Sequence, residues 1–277
     1  MIQYPLTIHG TRTRVLDAGQ TGPVVLFIHG LSTRADRWRG ALEALAAQGC
    51  RAIAFDLPGH GLADKPEDFD YSSGGLAGYT LGVMDALGIE RAHLVGTSLG
   101  GHVASLVALR APERCDSLYL VAPLGLAPVS REAGDGIRRS VRDVSIEGVR
   151  VKLRNVFIDP SLATEALITE ESRINGSAGG VQALSALADY LVERLNDELV
   201  TDELAPLAER LPVGLLWGEH DRMVPLAVGQ AAARALGMAE LPVMAGVGHA
   251  PYVERPAEFV DRWRAFSGVD HTTGSAA

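Results

Sequence analysis

Short apolar runs alternate with segments of helical spacing along most of this chain. The runs that read as strands buried on both faces are "PVVLFIH" (23–29), "RAIAFD" (51–56), "AHLVGT" (92–97), "SLYLVAP" (117–123) and "VGLLWG" (213–218). A strand that lies inside a parallel sheet is covered on both sides, so it is apolar throughout instead of alternating. Strands separated by helices at this spacing predict a parallel sheet with crossover helices, preceded by a hairpin over 5–9 and 12–17.

The alternation stops after Pro123 and resumes at Pro212. Charged, helix-compatible segments fill the interval, and none of them reads as a buried strand. The sequence therefore predicts an α/β core made of 1–123 and 212–268, with a helical cap over 124–211. The last residues, 269–277, are polar and small, and we expect them to be disordered.

Charge and composition exclude several classes of function. The net charge of −9 argues against nucleic acid as a partner. No apolar run is long enough to cross a bilayer, and the first residues lack the pattern of a secretion signal, so we expect a cytoplasmic protein. Cys50 and Cys115 are expected to be buried free thiols, a reading favoured over a disulfide. No Cys/His cluster indicates a metal, and the expectation is a protein without cofactor.

The segment "LVGTSLGGHVASLVAL" (94–109) joins a strand-like run to a helix-like run without a spacer. Ser98 lies at the junction, in the pattern Gly96-Thr97-Ser98-Leu99-Gly100. An ordinary turn is one interpretation, because glycine and serine are common in turns. The other is a sharp strand-to-helix bend that exposes a nucleophilic hydroxyl at the N-terminus of a buried helix.

A serine hydroxyl needs a base, usually a histidine oriented by a carboxylate. His249 lies in a glycine-flanked loop before the last helix, and Asp221 follows the strand 213–218, with Glu219 as the weaker alternative. The order Ser98, Asp221, His249 places all three at the carboxyl ends of strands, where open parallel sheets bind ligands. Structural roles are expected for the histidines at positions 29, 60 and 102.

Acyl transfer also requires donors for the developing oxyanion. The backbone amide of Leu99, directly after the serine, is one candidate. The amide of Leu31 in the loop after the first buried strand is the other. Gly30 fits beside the substrate because close backbone approach leaves no room for a Cβ.

The motifs "FIHGLS", "DLPGHGLAD", "GTSLGGH", "GEHDRMVP" and "GVGHAPYVERP" together resemble the α/β-hydrolase family. The resemblance implies an α/β-hydrolase fold with Ser98 as nucleophile, Asp221 as acid, His249 as base and the amides of Leu31 and Leu99 as the oxyanion hole. Because serine stands at the bend, the epoxide hydrolases and haloalkane dehalogenases of this fold, which use aspartate there, are disfavoured.

Within that family, "LRNVFIDPSLATEALITEESRING" resembles the cap of meta-cleavage product hydrolases, which cleave a C–C bond in vinylogous diketones. The resemblance implies that Arg173 binds a substrate carboxylate, against the alternative of a solvated cation at a helix end. Phe157 is a candidate to line an apolar pocket, although a cap also needs an apolar underside to dock.

Other residues resemble small esterases and lactonases equally well, including Thr97 and Ala250 where meta-cleavage product hydrolases carry Asn and Trp. We therefore expect a serine hydrolase without cofactor that acts on a small ester, lactone or vinylogous diketone. A C–C bond hydrolase of aromatic degradation is the first alternative. A slow-turnover ligand receptor of the same fold is the second. The expected partner is a small-molecule substrate, and a homodimer is left open.

Overall fold

The computed structural model describes residues 1–269, so most of the predicted disordered tail, 270–277, lies outside the described residues. The strands are β1 Ile2–Ile8, β2 Thr11–Ala18, β3 Val24–Ile28, β4 Arg51–Phe55, β5 Ala92–Thr97, β6 Cys115–Val121, β7 Val213–Gly218 and β8 Val243–Met244. The helices are α1 Arg39–Ala47, α2 Ser73–Ala86, α3 Leu99–Arg110, α4 Arg131–Arg142, α5 Ile146–Val156, α6 Glu165–Asn175, α7 Gly180–Glu193, α8 Thr201–Ala208, α9 Leu226–Ala235, α10 Pro251–Glu254 and α11 Pro256–Ser267.

The strands form one sheet in the order β1-β2-β4-β3-β5-β6-β7-β8. β1 and β2 pair as an antiparallel hairpin, β2 pairs antiparallel with β4, and every later pairing is parallel. The prediction of a mostly parallel sheet with flanking helices is therefore confirmed. β5 lies at the centre, between β3 and β6, and its carboxyl end leads into Ser98.

Helices cover both faces of the sheet because the central strands are apolar on both sides. On one face α1 and α11 pack against each other and share a buried cluster with side chains of β3, β4 and β5, in which Trp38, Phe259 and Trp263 are fully buried. On the other face lie α2 and α3, and α3 is buried along almost its whole length. Each fully buried large side chain contributes about 1.5–3 kcal/mol of transfer free energy. Cys50 and Cys115 are buried and free, as predicted.

Residues 124–211 contain five α-helices, α4 to α8, two short 3₁₀ helices and no strand. Three of them begin after a capping side chain that accepts a hydrogen bond from a backbone amide in the first turn: Ser130, Ser145 and Thr164. α5 packs against α6 and α4 against α7, whereas α8 lies against α3 and β7. The boundaries of the core and the cap at 123 and 212 stay predictions.

The cap has few buried contacts of its own, centred on Val141, Leu184 and Ala188. Most of its buried apolar side chains instead belong to the two clusters that pack on the sheet, Leu153 and Phe157 on one side and Leu187 on the other. The cap is therefore held in place by docking on the core. Among the described residues, no helix is both long and apolar enough to cross a membrane.

Candidate active site

Ser98 occupies a strained backbone conformation between β5 and α3, with φ +53° and ψ −122°. Non-glycine residues rarely adopt a positive φ, and such strain persists only where the surroundings enforce it. A Cβ on Gly100 would lie 2.3 Å from the carbonyl oxygen of His29, and a Cβ on Gly96 would lie 2.3 Å from that of Gly100. The chain bends so closely around Ser98 that these positions admit only glycine, which favours the sharp strand-to-helix bend over an ordinary turn.

Asp221 follows β7, and His249 lies in the loop between β8 and α10. Nδ1 of His249 donates to Oδ2 of Asp221 at 2.7 Å. The carboxylate is fully buried and also accepts hydrogen bonds at Oδ1 from the amides of Met223 (2.7 Å) and Val224 (2.9 Å). Because a carboxylate only accepts, Nδ1 carries the proton, and in the neutral imidazole Nε2 then presents a lone pair. Glu219 instead accepts from the amide of Gly246 at 2.8 Å, away from this imidazole.

Ser98 and His249 line the same cavity, which has a volume of about 860 Å³ including its mouth. Among the described residues the imidazole makes its one side-chain hydrogen bond to Asp221, and none joins it to Ser98 Oγ. The two side chains therefore face the same cavity, but no hydrogen bond between them is formed for proton transfer. Such contacts commonly tighten only when substrate binds.

Leu31 and Leu99 lie on the two segments that flank Ser98. Leu99 is the first residue of α3, so its amide has no acceptor inside the helix. The amide of Leu31 donates to no protein acceptor within residues 1–269. A Cβ on Gly30 would lie 3.2 Å from Cβ of Ser98, so glycine keeps the space above the hydroxyl open.

The cavity walls are mainly apolar and come from both the core and the cap. Phe157, only 2% exposed, is one of them, and its part in binding substrate stays a prediction. The other apolar lining residues include Leu124, Ile137, Val141, Leu153, Val156 and Val224.

A charged cluster forms one part of the wall: Arg37 from the loop after β3, Lys152 from α5 and Glu171 from α6. Glu171 is 1% exposed and forms ion pairs with both cations. Burial opposes its ionisation, but Lys152 and Arg37 more than compensate and hold the pKa of Glu171 below its ordinary value. Sequence reasoning missed this cluster because its members are far apart in the chain and no local motif joins them.

Arg173 does not reach the cavity, which corrects the sequence-based placement of a substrate-binding arginine at this position. It is exposed on the outer side of α6 and lines two surface clefts. Residues two apart in an α-helix project about 200° from each other. Because Glu171 faces the interior, Arg173 faces solvent, and Arg37 and Lys152 are the cations in the cavity wall.

The remaining candidate histidines have structural contacts. Nδ1 of His29 donates to the carbonyl of Gly30 at 2.8 Å, and Nε2 accepts from the amide of Leu57 at 2.9 Å. Burial lowers the pKa of His29 to about 4 and that of His60 to about 3. His102 is hydrogen-bonded to Ser73 Oγ at 2.9 Å and to a backbone carbonyl. In the part of the chain that the structure describes, no cluster of three or more His, Cys, Asp and Glu side chains suits a metal ion.

The sequence also matches a family model, that of the alpha/beta hydrolase family, over residues 25–262. The chain belongs to this family and is an α/β-fold serine hydrolase. It is 34% identical over 252 residues to a 2-hydroxy-6-oxononadienedioate/2-hydroxy-6-oxononatrienedioate hydrolase of Paraburkholderia phymatum, an alignment that covers 87% of this chain and 86% of that one.

A 2-hydroxymuconate semialdehyde hydrolase of Pseudomonas sp. is 30% identical, with 90% of this chain and 88% of that one covered. Among solved structures, the meta-cleavage product hydrolase of Pseudomonas fluorescens IP01 superposes with a TM-score of 0.82 at 29% identity, covering 96% and 97% of the two chains. A membrane phospholipase A superposes with a TM-score of 0.79 at 27% identity, covering 96% of this chain and 85% of the other.

Proposed function

We propose that this chain hydrolyses a small ester, lactone or vinylogous diketone, with Ser98 as nucleophile, His249 as base and Asp221 as the orienting acid. The observation that carries the proposal is the 2.7 Å hydrogen bond from His249 to buried Asp221, at the wall of the cavity that Ser98 also lines. This bond fixes the tautomer in which Nε2 is unprotonated, the form needed to accept a proton from a serine.

With an ester or lactone, Nε2 of His249 removes the proton of Ser98 as Oγ attacks the carbonyl carbon. The oxyanion that forms accepts hydrogen bonds from the amides of Leu31 and Leu99, near the positive end of the α3 dipole. The protonated imidazole then gives its proton to the leaving alkoxide. Water, deprotonated by the same imidazole, attacks the acyl-enzyme; the bond to Ser98 Oγ breaks, the imidazolium returns its proton to Oγ, and the carboxylic acid is released.

Cleavage of a C–C bond in a vinylogous diketone is the second candidate function. The similarity to hydrolases named for such substrates supports it. Arg37 and Lys152 in the cavity wall support it as well, because their two positive charges exceed the single negative charge of Glu171 and so favour a substrate carboxylate. In this reaction the dienol is first ketonised, and serine or water then attacks the ketone carbonyl. The C–C bond breaks with its electron pair passing into the conjugated fragment, which leaves as a dienolate and is protonated.

The test is a short substrate panel of p-nitrophenyl acetate and butyrate, a lactone and a dienoate ring-fission product. Each substrate is assayed with the wild type and with Ser98→Ala. Ser105→Ala is the matched control, because Ser105 lies on the same helix and its hydroxyl donates to the carbonyl of Gly101. We expect at least one substrate to be turned over, with turnover lost in Ser98→Ala and retained in Ser105→Ala. Turnover that survives in Ser98→Ala would contradict the proposal.

A fluorophosphonate probe gives a second measurement that is independent of the natural substrate. The probe phosphonylates an activated serine, so labelling is expected in the wild type and not in Ser98→Ala. Labelling combined with a single slow turnover on every substrate would instead favour the receptor hypothesis. The cytoplasmic location and the homodimer stay predictions from the sequence.

A further inference from the structure

Ser32, the residue after Leu31, is like Ser98 a strained non-glycine residue at this edge of the sheet, with φ +51°. It is 5% exposed. A positive φ at a serine costs of order 1–3 kcal/mol and must be held by its surroundings. The backbone on either side of Ser32 is thereby fixed, including the peptide unit that carries the carbonyl of Leu31.

Two side chains of the cap hold Ser32. Nδ2 of Asn175, from α6, donates to the carbonyl oxygen of Ser32 at 3.2 Å. Nζ of Lys152, from α5, donates to the same carbonyl oxygen and to Oγ of Ser32, both at 3.2 Å. One residue of the core loop therefore receives three hydrogen bonds from two cap helices.

The two donors are themselves fixed. Lys152 is ion-paired with Glu171, which also pairs with Arg37 of the core. Nε of Arg37 in turn donates to Oγ1 of Thr33 at 3.2 Å, on the other side of Ser32. Asn175 is 5% exposed. The loop is thus fixed both from the cap and by Arg37, which lies in the short 3₁₀ helix Ala35–Trp38 that follows it.

We propose that Asn175 and Lys152 are positioning residues that hold the backbone amide of Leu31 in place for the oxyanion, so that the docked cap completes the oxyanion hole. The inference rests on the proposed function, because it assigns the cap a part in the same reaction. Preorganised donors stabilise the transition state only when they are held at hydrogen-bonding distance from the oxyanion. A loop released from the cap loses that geometry even though substrate still binds in the cavity.

Asn175 is the better residue for a test because it contacts Ser32 and is not among the cavity-lining residues. Asn175→Leu removes the donor at nearly constant volume. The matched control is Ser172→Ala, on the same helix, whose hydroxyl donates at 2.6 Å to the carbonyl of Val144, within the cap. Both variants lose a side-chain hydrogen bond to a backbone carbonyl. Only the carbonyl of Ser32 belongs to the loop that carries the Leu31 amide, whereas that of Val144 lies within the cap.

The assay uses the substrate whose turnover is lost in Ser98→Ala. We expect Asn175→Leu to lower kcat on it by about 10- to 100-fold with little change in KM. Full loss of one oxyanion donor costs about 100- to 1,000-fold in kcat, and a misplaced donor should cost less. Labelling by the fluorophosphonate and affinity for an alkyl boronic acid, whose adduct is tetrahedral, should fall by a similar factor. Ser172→Ala should keep wild-type values. Lys152→Met should lower kcat as well, with an added effect on KM because Lys152 lines the cavity.

The proposal is overturned if Asn175→Leu matches Ser172→Ala, or if it raises KM while kcat and boronic acid affinity stay constant. Urea unfolding of each variant separates a loss of folded protein from a loss of kcat per folded molecule, and a loss explained by unfolding alone also overturns it. Failure of the proposed function would give a different result. In that case Ser98→Ala would retain activity or would still be labelled by the fluorophosphonate.

Discussion

Arg37 and Glu171 lie 134 residues apart in the chain and form an ion pair at the wall of the cavity. Arg37 belongs to the core and Glu171 to the cap, so the pair links the two parts beside the site. A buried ion pair is weak evidence for net stability, because both charges lose their hydration. Removing only one partner of the pair is nevertheless costly, because the other charge then stays buried without its partner.

Glu171→Gln is therefore expected to lower the free energy of unfolding by about 3–5 kcal/mol, because it leaves Lys152 and Arg37 without their shared carboxylate. The control is Glu170→Gln, one residue earlier, where the carboxylate is 57% exposed and pairs with Arg34. Arg34 is buried, but it keeps its ion pair with Asp36 when Glu170 is replaced, so this variant should lose no more than about 1 kcal/mol. Equal urea midpoints for the two variants would contradict the prediction.

The same carboxylate predicts a pH dependence. The pKa of Glu171 is depressed in the folded protein below its ordinary value of 4.5. Its contribution is therefore fully present above about pH 4.5 and is lost as the pH falls through the lower folded pKa. We expect the stability difference between the wild type and Glu171→Gln to narrow as the pH drops below 4.5, in urea titrations at several pH values. A difference that widens in acid would be inconsistent with this.

From the burial of His29 we predict a second, separate loss of folding stability, at a higher pH than the one due to Glu171. It is buried and neutral, with its pKa lowered from 6.5 to about 4, so below pH 6.5 the unfolded chain binds a proton that the folded chain does not. Stability should fall between pH 6.5 and about 4, by roughly 3 kcal/mol from this group at 1.36 kcal/mol per pH unit. His29→Asn should make the slope in this range shallower. An unchanged slope would rule out His29 as its source.

Asp221→Asn is expected to lower kcat by roughly 10³- to 10⁴-fold, the order seen when a triad aspartate becomes an amide and the histidine tautomer is wrong. The amide oxygen can still accept from Met223 and Val224, so the fold should be retained, which circular dichroism and the urea midpoint would check. Glu219→Gln, two residues earlier and hydrogen-bonded to Gly246, should remain active. If Glu219→Gln were inactive and Asp221→Asn active, Glu219 and not Asp221 would be the acid that orients His249.

Gly100→Ala should prevent correct folding at the bend or lower stability by several kcal/mol, because its Cβ would lie 2.3 Å from two backbone carbonyl oxygens, those of His29 and Ile28. Gly78→Ala in α2 is the control, since nothing lies within 4 Å of a Cβ there. A helical position open to solvent should gain up to about 1 kcal/mol from alanine. Similar thermal stability of the two variants would show that the bend tolerates a side chain.

The sequence predicted the parallel sheet and the position of Ser98 because both depend on local patterns. A strand buried on both faces has to be apolar throughout, as 92–97 is, and a bend this sharp has to be flanked by glycine. Asp221 and His249 could be proposed because parallel strands bring their carboxyl ends to one edge, so a residue just after a strand has a known destination.

Local sequence patterns could not show whether Arg173 or Glu171 faces the cavity. They are two residues apart on one helix. The resemblance to meta-cleavage product hydrolases made Arg173 a candidate for the cavity beside the alternative of a solvated cation, whereas the structure turns Glu171 inward and leaves Arg173 exposed. Which side of α6 faces the core depends on how the cap docks, and the cap has too few apolar contacts of its own to fix that orientation locally.

The chain by itself determined what each segment becomes, since strand burial, helix capping and the bend at Ser98 follow from residues close together in sequence. Only the tertiary structure decided which side chains of the cap meet the core, and with them the charges of the cavity wall and the contacts to Ser32. The physical reason is that these contacts join residues more than a hundred positions apart, whose meeting depends on the docked geometry of whole helices and on no pattern within any one of them.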